Sequence, residues 1–242
     1  MKSQQFFIVF FTGLFILLCQ TILQAQWGTR GNGNVKKETR NVASFDEISV
    51  EDGLNVYIRM GSRQEVIVEA DENILDLIET EVSGDRMRAY VSKSVRNAKE
   101  MNIYVTVTAL EALSSSGGSD VFSKGTIKLD ELYIKSSGGS DISLNLDVDY
   151  LKCETSGGSD AKLIGAAKKI ELSCSGGSDF EGKELIVQKA KVRTSGGSDS
   201  YIHVQDELDI QASGASDVYL FGNPKIVNKR VSGASDFHRR SS

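Results

Sequence analysis

The pentapeptide Ser-Gly-Gly-Ser-Asp stands at residues 116–120, 137–141, 156–160, 175–179 and 195–199, and returns as Ser-Gly-Ala-Ser-Asp at 213–217 and 232–236. The aspartates Asp120, Asp141, Asp160, Asp179, Asp199, Asp217 and Asp236 are spaced by 21, 19, 19, 20, 18 and 19 residues. One turn signature at a period of 18–21 residues marks a solenoid, in which each repeat stacks on the last.

The residues between the copies say which solenoid. Nine positions before the aspartates from Asp141 to Asp236 stand Leu132, Leu151, Ile170, Ala190, Leu208 and Val227. Seven before stand Ile134, Cys153, Leu172, Val192, Ile210 and then Lys229; five before stand Ser136, Thr155, Cys174, Thr194, Ala212 and Val231. Steps of two are strand alternation, not helical spacing. The intervening Tyr133, Lys152, Glu171, Lys191 and Asp209 are polar or amphipathic and point outward. A second run follows each aspartate, as in Ile142-x-Leu144 and Val218-x-Leu220, and a third reads at Ile127-x-Leu129 and Leu146-x-Val148. Gly125, Gly165 and Gly222, each five residues after an aspartate, mark a second corner. Each repeat therefore holds about three short strands. Propeller blades need about 40 residues, and the asparagine-centred signature of leucine-rich repeats is absent. The fold class is all-β: a parallel β-helix of about 19–20 residues per coil over residues 111–236.

Composition agrees. The chain has 23 glycines and one proline. Twelve of those glycines lie in the pentapeptides, with Gly117, Gly138, Gly157, Gly176, Gly196, Gly214 and Gly233 as the first glycine of each turn. Proline is scarce because it cannot donate to a strand ladder. Apolar residues at 40% and charged residues at 25% are an ordinary globular balance, and a net charge of −5 gives no support for nucleic-acid binding.

Outside the repeat, residues 1–25 read as a secretory signal: Lys2, the apolar run Phe6–Leu18, and Leu23-Gln24-Ala25 before a cut at Gln26. Acylation at Cys19 and an uncleaved anchor are the rival readings. The mature chain then spans 26–242, with no other apolar stretch long enough to span a bilayer as a helix. Residues 26–42 are polar and glycine-rich and read as a flexible leader that includes Trp27. Residues 43–110 alternate without the pentapeptide (Phe45-x-x-Ile48-x-Val50, Leu54-x-Val56-x-Ile58, Glu65–Ala70, Met87-x-Ala89-x-Val91, Ile103-x-Val105-x-Val107). They read as about five strands, with a helical turn within Ile74–Thr80, capping the open end of the solenoid. Residues 237–242 read as a charged tail. The repeat register sets Cys153 and Cys174 on adjacent coils but two positions apart, about 8 Å between Cα atoms. A disulfide wants less than about 7 Å, so both are expected as free thiols.

Stacking turns the seven aspartates into a row about 5 Å apart. In the first reading each motif is a self-satisfied corner: the glycines take positive φ while Ser and Asp side chains accept from nearby amides. A second is a cation ladder of the seven carboxylates, since calcium favours clustered carboxylates. A third is a sugar-binding ladder. His203 and His238 lie in no motif, and no base recurs beside the repeat serines, so no catalytic residue and no cofactor is expected. Carboxylates are plentiful enough for an acid pair, which keeps a polysaccharide-active enzyme as the alternative.

From Phe45 to Asp236 the chain resembles the head GIN domain family, labelled auto-transporter adhesins and common in Bacteroidetes. The matching residues are Phe45-x-x-Ile48-x-Val50, Gly53-Leu54-x-Val56-x-Ile58, Val66-Ile67-Val68-Glu69-Ala70-Asp71 and the string of turns. The resemblance implies a right-handed parallel β-helix with an N-terminal β portion, exported to the envelope, and carries no catalytic residues. The expected function is a non-enzymatic envelope or cell-surface protein presenting a ridge to protein or glycan, with a purely structural envelope role as a further alternative.

Overall fold

The computed structural model describes residues 28–240. The signal segment, Cys19 and Trp27 lie outside the described residues, as do Ser241 and Ser242. The strands are β1 (Thr29–Arg30), β2 (Val35–Arg40), β3 (Glu47–Val50), β4 (Asn55–Met60), β5 (Glu65–Asp71), β6 (Ile78–Ser83), β7 (Arg86–Val91), β8 (Val95–Arg96) and β9 (Met101–Val107). They continue as β10 (Ala112–Ser115), β11 (Asp120–Ser136), β12 (Ile142–Gly157), β13 (Ala161–Gly176), β14 (Phe180–Gly196), β15 (Ser200–Gly214), β16 (Val218–Phe221), β17 (Lys225–Val231) and β18 (Phe237–Arg240). The chain is a β-solenoid, and from β10 onward every pairing is parallel.

The repeat columns are as the spacing predicts. Leu132, Leu151, Ile170, Ala190 and Leu208 stand opposite one another, as do Ile134, Cys153, Leu172, Val192 and Ile210. These columns and Val121, Ile142, Ala161, Phe180 and Val218 are buried and form one continuous core. Hydrogen bonding carries on around the second corner, so the three short strands of a repeat run together as a ribbon of 15–17 residues. Gly165 makes that bend at φ +111°; a Cβ there would lie 2.0 Å from the Leu146 carbonyl oxygen. One column slips in the last coil. Ile226, not Val227, stands opposite Leu208; a register shift leaves Val227 bulged out and 52% exposed.

The boundary at residue 110 is not a structural one. β3 stacks in parallel on β10, and β4 on β11; β7 and β9 form the layer below them. Two coils of the N-terminal segment thus belong to the same stack, out of chain order. In the main sheet parallel pairing stops there: β6 lies antiparallel on β7, β5 on β9, and β2 on β5, while β1 and β8 form a separate parallel pair. A 3₁₀ turn at Glu72–Leu77, slightly earlier than expected, buries Ile74 and Leu75 between β5 and β6.

Two expectations are corrected. The described part of the expected flexible leader 26–42, residues 28–42, is ordered: β2 pairs all six of its residues with β5, and the buried Asp71 accepts from the Gly33 amide at 2.8 Å and the Lys99 amide at 3.1 Å. Val-Lys-Lys-Glu-Thr-Arg is an edge strand, which needs little apolar surface and so reads as a loop. Residues 237–240 are not a tail either; Phe237–Arg240 pairs with Val218–Phe221 as the last strand. Cys153 and Cys174 face Leu172 and Thr155, and both are buried free thiols. Burial pushes both thiols up, which keeps them protonated and unreactive.

At the pentapeptide corner the first glycine of each copy has φ between +67° and +87°. A Cβ on Gly196 would lie 2.6 Å from the Gly176 carbonyl oxygen, whereas one on Gly197 has nothing nearer than 3.8 Å. This explains why alanine replaces only the second glycine, at Ala215 and Ala234. Gly196→Ala should therefore lower stability by about 2 kcal/mol or more, from left-handed backbone strain plus the clash. Gly197→Ala should stay within about 0.5 kcal/mol of the parent. Urea-unfolding midpoints of the two variants check this.

Candidate functional site: the aspartate corner and its aromatic flank

The corner sorts its side chains by facing. The fourth residue of each motif points in: Ser119, Ser140, Ser159, Ser178, Ser198 and Ser216 are fully buried. Five of these hydroxyls donate to the carbonyl of the first serine of their own motif, at 2.8–3.0 Å. The aspartate points out, and its Oδ1 accepts the backbone N–H of the aspartate one coil on. Asp120 accepts from Asp141, and the series runs through Asp160, Asp179, Asp199 and Asp217 to Asp236, at 2.9–3.3 Å. The corner is thus satisfied twice over: within the motif by the buried serine, and between coils by the aspartate. From Asp120 to Asp199 each aspartate keeps one carboxylate oxygen for solvent or a ligand, whereas Asp217 Oδ2 accepts from the Tyr219 hydroxyl at 3.4 Å. Burial pushes the carboxyls of Asp120 and Asp199 above the usual range.

Beside this row runs a second column that the sequence reading missed. Two residues after each aspartate, on the same outward face, stand Phe122, Ser143, Lys162, Glu181, Tyr201, Tyr219 and His238, with Tyr57 and Tyr104 continuing the column below Phe122. The aromatics gather at the two ends. Tyr57 stacks on Tyr104 at 5.2 Å and on Phe122 at 5.4 Å. Tyr219 stacks on Tyr201 at 4.6 Å and on His238 at 4.9 Å, with interplanar angles of 8° and 15°. Lys124 lies over Tyr57 and Arg240 over Tyr219. The Tyr104 hydroxyl donates to Glu69 at 2.6 Å, which pushes its phenol up to about 12. The signal was present in the sequence as a fixed offset from the repeat aspartate; taken one at a time, these rings look irregular.

The family model described as "Putative auto-transporter adhesin, head GIN domain" matches residues 44–224. The chain belongs to the head GIN domain family. Solved structures share its fold, among them the following three. One described as a putative adhesin from Bacteroides fragilis NCTC 9343 is 23% identical with a TM-score of 0.83, covering 88% of this chain and 100% of that one. One described as a putative lipid binding protein from Parabacteroides distasonis ATCC 8503 is 18% identical with a TM-score of 0.73, at 88% and 100% coverage. A putative adhesin from Parabacteroides merdae ATCC 43184 is 17% identical with a TM-score of 0.69, at 88% and 99%. Among curated protein sequences, none matches the chain.

In this head GIN domain the seven aspartates line one corner, but the Oδ1 atoms of Asp120 through Asp217 are already committed to backbone amides. Calcium takes six to eight oxygens, and one free oxygen per coil is a sparse supply. Among the described residues, Asp217, Asp236 and His238 bring one ligand atom each within 4.8 Å, with His238 Nε2 3.8 Å from Asp217 Oδ2. His203 is elsewhere, opposite Phe221 in the next coil. A concavity of about 700 Å³ is an open depression bordered by Arg40, Arg59, Met60, Arg63 and Thr106 at the other end of the stack. It does not touch the aspartate row. No helix of the described residues is long and apolar enough to cross a membrane.

Asp199 separates the charge of the ladder from its hydrogen bonds. Asp199→Ala removes the acceptor of the Asp217 amide and should cost about 1 kcal/mol. Asp199→Asn keeps an acceptor and removes a charge that burial disfavours. Because the folded pKa is raised, the charged form weakens the fold at neutral pH, and that penalty fades as pH falls through the raised pKa. Asp199→Asn should match or exceed the parent at pH 7, with the gap closing toward pH 4. Thermal melts across that range check the sign.

Proposed function

We propose that this head GIN domain is an exported, non-enzymatic protein of the cell envelope or surface, and that it binds a protein or glycan ligand along the ridge formed by the aspartate row and the adjoining aromatic column. The observation that carries this reading is the pairing of two outward columns with fixed spacing. A carboxylate oxygen at each coil offers hydrogen-bond acceptors at about 5 Å intervals. Beside them, Tyr201 and Tyr219 present ring edges and hydroxyls on a rigid scaffold. Stacked rings hide their faces from one another, so the ligand meets edges, hydroxyls and carboxylates rather than an open aromatic platform.

The scaffold suits repetitive ligands, because equivalent groups recur along one axis. Two of the similar structures named above are described as putative adhesins, which agrees with a binding role. The N-terminal signal segment accounts for export, and the same ridge is then displayed outside the cytoplasm.

The test uses a glycan array and a panel of extracellular-matrix proteins, probed with the parent and with the Tyr201→Ala/Tyr219→Ala pair. A ligand captured by the parent should bind the variant at least tenfold more weakly, while the urea midpoint moves little, since both rings lie on the outer face. Equal binding by parent and variant would place the contact elsewhere. Protease shaving of intact producing cells should remove the domain if the ridge faces outward; full protection would sink the surface reading.

A further inference from the structure

The aspartate row changes chemistry at its last member. Two residues after an aspartate, the outward position is Phe122, Ser143, Lys162, Glu181, Tyr201 or Tyr219 in the earlier coils, and none of these is an imidazole. After Asp236 it is His238. An imidazole beside paired carboxylates is a donor set for zinc and its first-row neighbours, whereas carboxylates alone suit calcium or magnesium. The other histidine, His203, stands opposite Phe221 and is not among the converging donors.

The backbone sets the two carboxylates side by side. The Asp236 amide donates to Asp217 Oδ1 at 2.9 Å, and the Val218 amide donates to the Asp236 carbonyl at 2.9 Å. Among the described residues this leaves Asp217 Oδ2 and both carboxylate oxygens of Asp236 clear of backbone amides. His238 stands opposite Tyr219 and stacks on its ring at 4.9 Å, with an interplanar angle of 15°. The Tyr219 hydroxyl reaches Asp217 Oδ2 at 3.4 Å, so one side chain orients both the imidazole and a carboxylate. One donor atom from each of Asp217, Asp236 and His238 then lies within 4.8 Å of the other two. His238 Nε2 is 3.8 Å from Asp217 Oδ2, too far for a hydrogen bond. A tetrahedral zinc ion holds nitrogen and oxygen ligands about 3.3 Å apart. Side-chain rotation closes that difference, since Asp236 is exposed and Asp217 and His238 are half-buried.

We infer that Asp217, Asp236 and His238 bind a divalent transition cation of the zinc class, through two carboxylate oxygens and the imidazole nitrogen. Three protein ligands leave a fourth position for water or for a donor from outside. The ion also ties β18 to β16 through side chains, in addition to the strand ladder between them. Charge favours it. Asp199 accepts the Asp217 amide at 3.2 Å and brings a third carboxylate next to the pair. Against these stands Arg240, whose guanidinium lies 5.1 Å from the centre of the Tyr219 ring. An ion pair of His238 with Asp217 is the rival use of the same groups. It needs a protonated imidazole and gives Asp236 no part, whereas a metal takes the neutral ring and uses all three side chains. The site lies at one end of the ridge but does not rest on the ridge binding a ligand, and its test is run with no such ligand present.

The probe is zinc chloride, titrated by calorimetry into the full chain, purified without a histidine tag and stripped with EDTA. One ion per chain should bind. Asp217→Asn keeps an acceptor for the Asp236 amide, so it and His238→Gln should melt close to the stripped parent, yet each should weaken zinc binding at least tenfold. Zinc should raise the melting temperature of the parent and leave that of His238→Gln unmoved. Should either variant fail to fold, Asp236→Asn, on an exposed side chain, should show the same tenfold loss. His203→Gln should bind zinc as the parent does, and equimolar calcium chloride should not displace the ion. No zinc binding by the parent, binding kept by His238→Gln, binding lost in His203→Gln, or displacement by equimolar calcium would each overturn the proposal.

Discussion

Everything in this molecule hangs on one close approach between backbones. At the pentapeptide corner an amide of one coil meets a glycine carbonyl of the coil below: Gly158 to Gly138, Gly177 to Gly157, Gly197 to Gly176, Ala215 to Gly196 and Ala234 to Gly214, all at 2.7–2.8 Å. That contact leaves no room for a Cβ on the first glycine. It fixes the corner to the same height in every coil, and the inward columns follow from it. With the corner pinned, residues nine, seven and five positions before the aspartate fall into line, and the core becomes a stack of like-placed apolar side chains. The aspartate ladder is a consequence of the same geometry. Each carboxylate can reach the next coil's amide only because the corners superpose. Neighbouring carboxylates about 5 Å apart repel by somewhat under 1 kcal/mol in water, and a charge-assisted bond offsets that.

The division between inside and outside gives the family its room to vary. The buried columns and the glycine corner answer to packing, whereas the outward positions answer only to solvent and to one another. The aromatic column illustrates this: the same position is Phe122, Ser143, Lys162, Glu181 and Tyr201 in successive coils, and these residues still stand directly opposite one another. A binding surface can therefore be rewritten on this scaffold without altering the fold, which is why structures 17–23% identical to the chain superpose so closely.

Much of this was legible in the sequence because a repeat reports itself seven times. The solenoid class, the inward columns, the second corner and the offset of Cys153 from Cys174 all follow from counting back from an aspartate. What did not follow was whatever lacks a repeat. β2 is a polar edge strand held by β5 and by Asp71, and nothing in Val-Lys-Lys-Glu-Thr-Arg distinguishes it from a loop. The insertion of β3 and β4 between later strands is a matter of chain order that alternation does not encode. The slip at Val227 moves a residue out of the core where the column pattern still looks intact. The aromatic flank was present in the letters, but its meaning depends on the strands being in register, which only stacking supplies.

The central claim is that the corner is held between coils and not by each turn alone. Residue-resolved amide hydrogen exchange tests it most directly. The amides of Gly158, Gly177 and Gly197, and those of Asp160, Asp179 and Asp199, should be protected to the same degree as neighbouring strand amides and should open with them as one cooperative unit. Exchange at these corner amides at the rate of an exposed turn, while the strands remain protected, would contradict the account.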